Sequence, residues 1–127
     1  MEIKISTKEK FSVVEPISNK LTDSEAQNLV NECKNILVNN EIKNIVLTFK
    51  SIDNIEIEAV DAIVNLQQHF YENNVSFVIC EMNEKVENVF DQDELLEQMN
   101  TTPTESEAWD IVQMEEIERE LMGDEEF

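Results

Sequence analysis

Two glutamates in residues 52–63 are the first candidates for a functional site. This segment reads IDNIEIEAVDAI and places Glu56 and Glu58 where an apolar strand pattern gives way to a helical pattern. Neighbouring carboxylates can work as a general acid and base, but no pattern nearby indicates a substrate cleft or an electrophile. Carboxylates are also favoured in the first turn of a helix, because unpaired amides and the helix dipole attract negative charge there. A first-turn role and a functional role are therefore both open for Glu58.

The remaining reactive side chains are few and scattered. Cys33 and Cys80 lie inside apolar patterns without a CxxC spacing, which is typical of small core residues. His69 is the only histidine, so a zinc site or a catalytic triad would depend on one imidazole. Gly123 is the only glycine, which excludes the glycine-rich loops that hold phosphates. We predict no catalytic residue, no metal and no cofactor.

Acidic residues dominate the charge and are concentrated toward the C-terminus. The 127 residues carry a formal net charge of -20, with 12 acids and 7 bases in residues 1–80 but 17 acids and 2 bases in residues 81–127. Such a surface repels phosphate backbones and anionic lipids, so we expect no nucleic acid and no membrane partner. A protein surface with a basic patch is a better candidate partner. More commonly, however, such a concentration of acids only forms a solvated face that keeps the protein soluble. The alternating start, MEIKISTKEKFSVVE, favours a cytoplasmic protein without a signal peptide.

Apolar spacing predicts strands and helices that alternate along the chain. MEIKIS and FSVVE read as a hairpin, and IKNIVLTF and VSFVIC read as buried strands. Three helices are predicted between and after these strands: one from LTDSE to the pair Asn39-Asn40, one from about Glu58 to Tyr71 before Asn73-Asn74, and one from about Asn83 to Gln92. Asparagine suits helix ends because it tolerates the left-handed conformation. Helices between strands imply crossover connections, so we predict an α/β single domain with a mixed, mostly parallel sheet flanked by helices.

The C-terminal third is predicted to add an edge strand and a long helix. LLEQMN reads as the strand, and Thr102-Pro103 then breaks the chain. Thr104 and Glu107 have the spacing of a capping box, which opens a helix to about Met122. The apolar residues expected on its inward face are Ala108, Ile111, Met114, Ile117 and Leu121. Trp109 lies beside this face and is compatible with either the core or an exposed anchor.

The segments VVEPISNKLT (residues 13–22) and IVLTFKSIDNIEIEAVDAIVNL (residues 45–66) resemble parts of the STAS domain, the fold shared by bacterial anti-sigma factor antagonists and the cytoplasmic tails of sulfate transporters. VVEPISNKLT is similar to the second strand and turn of the family, with Asn19 at a usual glycine and Thr22 at a usual aspartate. IVLTFKSIDNIEIEAVDAIVNL is similar to the central strand, loop and helix of the family. The resemblance covers roughly residues 2–112. It implies a domain in residues 1–112 followed by an acidic C-terminal helical extension in residues 113–127.

The same resemblance offers a meaning for the two glutamates. The family motif Asp-Ser-Ser-Gly-Leu aligns with Glu56, Ile57, Glu58, Ala59 and Val60. In regulated members of the family the second serine is phosphorylated by a partner kinase, which is itself the anti-sigma factor. The alignment makes Glu58 the equivalent of the phosphorylated residue, with a carboxylate in place of the hydroxyl. A carboxylate carries less charge and fewer acceptor oxygens than a phosphate.

The resemblance implies a non-enzymatic regulatory module that binds proteins. The residues predicted to form its partner-binding surface lie in two segments, and they are Asn19, Thr22, Asp23, Asp53, Glu56, Ile57, Glu58, Ala59 and Asp61. The expected partner is a kinase-like anti-sigma factor or another STAS protein. The alternatives are a STAS module that binds a nucleotide or lipid, or a component of a transport or multi-STAS signalling complex. Only Lys20 and Lys50 lie near the site, so nucleotide binding is the weaker of these.

Overall fold

Strands and helices alternate along the chain in this computed structural model, which describes residues 1–92 and 95–125. The strands are β1 (Glu2–Thr7), β2 (Ser12–Ile17), β3 (Lys20–Leu21), β4 (Ile45–Thr48), β5 (Asn54–Ile55), β6 (Phe77–Cys80) and β7 (Thr101–Thr102). The α-helices are α1 (Asp23–Asn39), α2 (Ile57–Glu72), α3 (Glu84–Asp91) and α4 (Glu105–Glu125), and a 3-10 helix covers Leu95–Gln98. The predicted hairpin, the two buried strands and the four helices are all present, within a few residues of their expected bounds.

The main sheet has the order β1-β2-β4-β6-β7. β1 and β2 are antiparallel, whereas β2, β4, β6 and β7 pair in parallel. Each parallel connection contains a helix, as a crossover between parallel strands requires. The predicted α/β fold with a mixed, mostly parallel sheet flanked by helices is therefore confirmed. The short strands β3 and β5 form a separate parallel pair that the sequence did not predict.

The sheet is covered on both faces, and the two faces carry different helices. Successive strand residues point to opposite sides. Leu47 and Ile79 belong to a large apolar cluster that also includes residues of α1, α2 and α3. Val46 and Val78 belong to a smaller cluster that is completed by α4. The central strands β4 and β6 are buried at every position, and α4 packs on the face of the sheet opposite the other three helices.

Polar side chains cap the starts of α1, α3 and α4. The Thr22 hydroxyl accepts a hydrogen bond from the Glu25 amide at 3.2 Å, and the Asn83 side chain accepts one from the Val86 amide at 2.8 Å. The Thr104 hydroxyl accepts from the Glu107 amide at 3.3 Å and donates to the Glu107 carboxylate at 3.1 Å. The Thr104–Glu107 pair therefore caps α4, although its second bond joins the two side chains.

The two asparagine pairs end their helices in different backbone conformations. Asn74, after α2, has φ 58°, as expected of a terminator in the left-handed region. Asn40, after α1, has φ -96° and is extended, so the same expectation was wrong there. Its backbone amide instead donates to the Ile36 carbonyl at 3.0 Å. One asparagine of the four therefore supplies the left-handed turn.

The predicted edge strand at LLEQMN was wrong. Leu95–Gln98 form a 3-10 helix, and the edge strand is Thr101–Thr102. The side chains of Leu95 and Leu96 both pack against the large cluster. A strand would point two successive side chains to opposite faces, whereas one turn of helix allows both to contact the core.

The predicted inward face of α4 was also wrong in its second half. Ala108 and Val112 are fully buried against the sheet, while Met114, Ile117 and Leu121 are exposed. Apolar spacing locates a stripe but cannot tell whether the stripe or its neighbour contacts the core. Here the inward face continues through polar residues, which explains the error.

A buried asparagine holds those polar residues of α4 to the sheet. Asn44 donates from Nδ2 to the Lys10 carbonyl at 3.0 Å and to the Glu116 carboxylate at 2.8 Å, and its Oδ1 accepts from the Ser76 amide at 2.9 Å. Arg119 donates to the same Glu116 oxygen at 2.9 Å. Partial burial alone would raise the pKa of Glu116, but the hydrogen bonds from Asn44 and Arg119 lower this pKa overall. The network fixes the helix where apolar contacts end.

Candidate functional site

The pairing of β3 with β5 brings the two predicted site segments together. Leu21 lies opposite Ile55, and the Glu56 amide donates to the Leu21 carbonyl at 3.0 Å. The amides of Asp53 and Asn54 both donate to the Asn19 carbonyl, at 2.8 and 2.9 Å. Because each strand leads directly into a helix, α1 and α2 begin side by side. The site is therefore built on two adjacent helix N-termini.

Glu56 joins these two helices. It is the N-cap residue of α2, but its side chain makes no capping bond to α2. Instead, Oε1 accepts a hydrogen bond at 2.8 Å from the backbone amide of Asp23, the first residue of α1. Its carbonyl accepts the Ala59 and Val60 amides at 3.0 and 3.3 Å. Backbone and side chain of Glu56 thus serve different helices.

Glu58 and its neighbours divide between surface and core. Glu58 and Asp61 are exposed, and the Glu58 side chain makes no hydrogen bond or ion pair within residues 1–92 and 95–125. Ile57, the first residue of α2, has 47% of its surface exposed. Ala59 is fully buried, so this predicted site residue supports the helix from the core side. The two glutamates that are close in sequence therefore have separate surroundings, one tied to α1 and one facing solvent.

The start of α3 forms the third side of the site. Asn83 donates from Nδ2 to the Asp53 carbonyl at 2.9 Å, and Lys85 Nζ lies 3.5 Å from Asp53 Oδ2. Ser18 donates to the Glu25 carboxylate at 2.9 Å and supports the turn before α1. The sequence did not place Asn83 or Lys85 at the site. Asn83 was visible as a helix start, but nothing in its spacing indicated that its amide group reaches the loop before α2.

The surface of the site is acidic. Asp23, Asp53, Glu58 and Asp61 are exposed around the helix N-termini. Helix dipoles stabilise Asp23 and Glu58, which lie in the first turns of α1 and α2, so these acids are compatible with a stable fold. Lys50, which the sequence placed near the site, instead pairs with Glu15 at 3.7 Å. The arrangement is suited to recognising a protein surface that carries basic residues.

The reactive side chains lie elsewhere. Both cysteines are buried and free, and burial raises the pKa of Cys33 and of Cys80 to about 12, so their thiols stay protonated at neutral pH. His69 is exposed in the last turn of α2, at the opposite end of that helix from the site. Within residues 1–92 and 95–125, no three of His, Cys, Asp and Glu are grouped in a way that could hold a metal. The prediction that both cysteines are core residues is confirmed.

Comparison with known proteins identifies the family. The profile of the STAS domain matches residues 2–108, so this chain belongs to the STAS domain family. No curated protein matches the sequence. Across the described part of the chain, no helix is both long enough and apolar enough to cross a membrane.

Solved structures support the same fold at low sequence identity. A putative anti-sigma factor antagonist from Thermotoga maritima is 23% identical with a TM-score of 0.73, and the match covers 87% of this chain and 94% of that one. A serine-to-glutamate variant of RsbS from Moorella thermoacetica is 14% identical with a TM-score of 0.75, covering 89% and 96%. The anti-sigma factor antagonist SpoIIAA in its unphosphorylated form is 14% identical with a TM-score of 0.71, covering 88% and 96%. At these identities the likeness concerns the fold.

Proposed function

We propose that this STAS domain is a non-enzymatic regulatory module of the anti-sigma factor antagonist type, which binds a protein partner in the cytoplasm. The observation that carries the proposal is the exposed pair Ile57 and Glu58 at the start of α2. An apolar side chain beside a charge that has no partner among residues 1–92 and 95–125, on a helix end fixed by hydrogen bonds, is suited to a specific interface. The solved structures of anti-sigma factor antagonists with this fold support the same class of function.

Glu58 takes the place of the phosphorylated serine in this proposal. Its position rests on the alignment of IEIEAV with the family motif, and its exposure at the second residue of α2 makes it accessible to a partner. The first turn of a helix favours a fixed negative charge as it favours a phosphate. RsbS also keeps this fold with a serine replaced by glutamate. The activity of the module would then be set by its abundance or by modification of the partner.

The proposed partner is a kinase-like anti-sigma factor or another STAS protein. Its interface would centre on Ile57 and Glu58 and extend to Asp23, Asp53 and Asp61, which are exposed around them. Asn19, Thr22, Glu56 and Ala59 would shape this surface through their backbone and side-chain contacts. In this proposal some of the predicted residues contact the partner, and the others hold the two helix ends in place.

Affinity capture from the native cell with mass spectrometry tests the proposal. Three variants accompany the wild type: Ile57→Ser, Glu58→Ser and the charge-matched control Glu41→Ser, which lies beyond the far end of α1. We expect the wild type and Glu41→Ser to retain a kinase-like or STAS protein equally, Ile57→Ser to retain less of it, and Glu58→Ser to retain a clearly different amount. Equal retention by all four proteins would reject the site, and a transporter among the retained proteins would favour the transport alternative.

A further inference from the structure

The outer face of α4 carries an apolar stripe, defined here as Met114, Ile117 and Leu121. These side chains are 59%, 56% and 58% exposed. Their spacing of three and four residues places them on one side of the helix. The opposite side, at Ala108 and Val112, is buried against the sheet. The stripe is therefore an apolar surface additional to the one that the domain needs for its own core.

The stripe continues into a cleft between α4 and the turn that joins β1 to β2. The cleft has a volume of about 440 Å³, and Ile117 belongs to both the stripe and the cleft. Buried Phe11 packs against Trp109 with ring centroids 5.1 Å apart, and both line the cleft. Lys8 lies over the Trp109 ring at 5.6 Å. Large apolar side chains from a partner could enter this cleft beside the stripe.

Charge around the stripe indicates what kind of partner would bind there. Residues 105–121 contain seven acids and one base, and that base, Arg119, is paired with Glu116 at 2.9 Å. The exposed acids beside the stripe include Asp110, Glu118 and Glu120. A second copy of this chain would bring the same acids against them, whereas a basic helix would neutralise them.

We propose that the outer face of α4 is a docking surface for a basic amphipathic helix of a partner protein. The apolar side of that helix would cover Met114, Ile117 and Leu121, and its lysine or arginine flanks would face the acids of α4. Helix-on-helix packing matches the spacing of the stripe. The surface lies on the face of the sheet opposite α1 and α2, so it is separate from the proposed site at Glu58 and does not depend on it.

A synthetic peptide series tests this proposal on the full chain. The probe is a lysine-rich amphipathic helix as long as α4, with leucines at the spacing of the stripe. The control peptide has the same composition in a scrambled order without an apolar side. Trp109 is the only tryptophan and lines the cleft, so its fluorescence reports binding there directly. We expect the amphipathic peptide to bind and shift this fluorescence, and the scrambled peptide to bind at least about tenfold more weakly.

Variants separate docking from general attraction between opposite charges. Ile117→Ser keeps the charge and should weaken binding of the amphipathic peptide by about tenfold, because it removes part of the buried apolar contact. Val38→Ser is the matched control, since Val38 is 75% exposed on α1. Circular dichroism checks that each variant is folded.

Three outcomes would overturn the proposal. The first is equal binding of both peptides or of both variants, which would show charge attraction alone. The second is no binding of either peptide. The third is self-association of the free chain that Ile117→Ser abolishes, which would show that a second copy covers the stripe.

Discussion

Removing the Glu56 carboxylate should destabilise the start of α1, although Glu56 belongs to α2. Oε1 of Glu56 is 2.8 Å from the amide of Asp23, one of the first four α1 amides, which have no partner within their own helix. Loss of a side chain that caps a helix N-terminus costs about 1 kcal/mol, within a range of roughly 0.5–2 kcal/mol. Glu56 is partly exposed, so water can replace the lost acceptor in part. We therefore expect Glu56→Ala to lower the free energy of unfolding by about 1 kcal/mol.

Urea denaturation followed by circular dichroism measures this change, and the slope of the transition should stay constant. The corresponding fall in melting temperature is roughly 3–5 °C for a domain of this size. Glu56→Gln keeps an acceptor oxygen without the charge and should show a smaller loss than Glu56→Ala. Glu41→Ala, an exposed acid outside the helices, is the control and should leave the transition unchanged. If Glu56→Ala unfolds at the wild-type urea concentration and the amide resonance of Asp23 does not shift, the proposed capping bond contributes nothing.

Four further predictions concern the partner site and α4. Glu58→Ser should lower stability by roughly 0.3–1 kcal/mol, the value of a first-turn charge; if partner affinity then stays constant in a binding titration, Glu58 is only a favourable first-turn residue. Partner affinity should fall as ionic strength rises because the net charge is -20, and an affinity that does not change with salt would show that electrostatic attraction does not contribute to binding. The lowered pKa of Glu116 favours its charged form in the folded state, so its contribution to stability is present above its ordinary pKa of 4.5 and is lost as pH falls through the lowered value. The difference in unfolding free energy between wild type and Glu116→Gln should therefore shrink below pH 4.5 in urea titrations, and a difference independent of pH would contradict this assignment. Deleting residues 113–127 should weaken partner binding and, because it removes Glu116 and Arg119, lower stability while leaving cooperative unfolding; loss of cooperativity would show that the segment is part of the core.

The fold could be predicted because its apolar pattern has few alternatives. Strands buried on both faces and separated by amphipathic helices imply parallel pairing with crossovers, and local caps such as Thr22 fix the helix starts. Elements that depend on distant contacts were not predictable in the same way. β3 and β5 are two residues each and exist because their segments meet, as at the bonds to the Asn19 carbonyl. The edge strand at Thr101–Thr102 is equally short.

The two segments of the candidate site were identified from the sequence, but the contacts that their residues make were not. The predicted segments do lie together, because β3 and β5 pair directly before α1 and α2. The sequence could not show that Glu56 reaches across to Asp23, since that bond joins residues 33 positions apart. The same holds for Asn44, a polar residue whose four side-chain partners lie 32 to 75 positions away in the chain. Long-range hydrogen bonds of single polar side chains leave no periodic signal in a sequence.

Glu81, directly after β6, has φ 61°, a conformation that costs a residue with a side chain roughly 1–2 kcal/mol. Its carboxylate accepts the Glu105 amide at 2.8 Å, at the first residue of α4. Glycine at this position would relieve the backbone, but it would enlarge the conformational freedom of the unfolded chain and remove the bond to α4. This bond attaches the first turn of α4 to the end of the central strand β6. The helix start therefore cannot fray without breaking the bond to Glu81. Opening of this helix start should therefore be coupled to opening of the sheet, so that hydrogen exchange at the Glu105 amide follows the slow exchange of β6 and not the fast exchange of a free helix end.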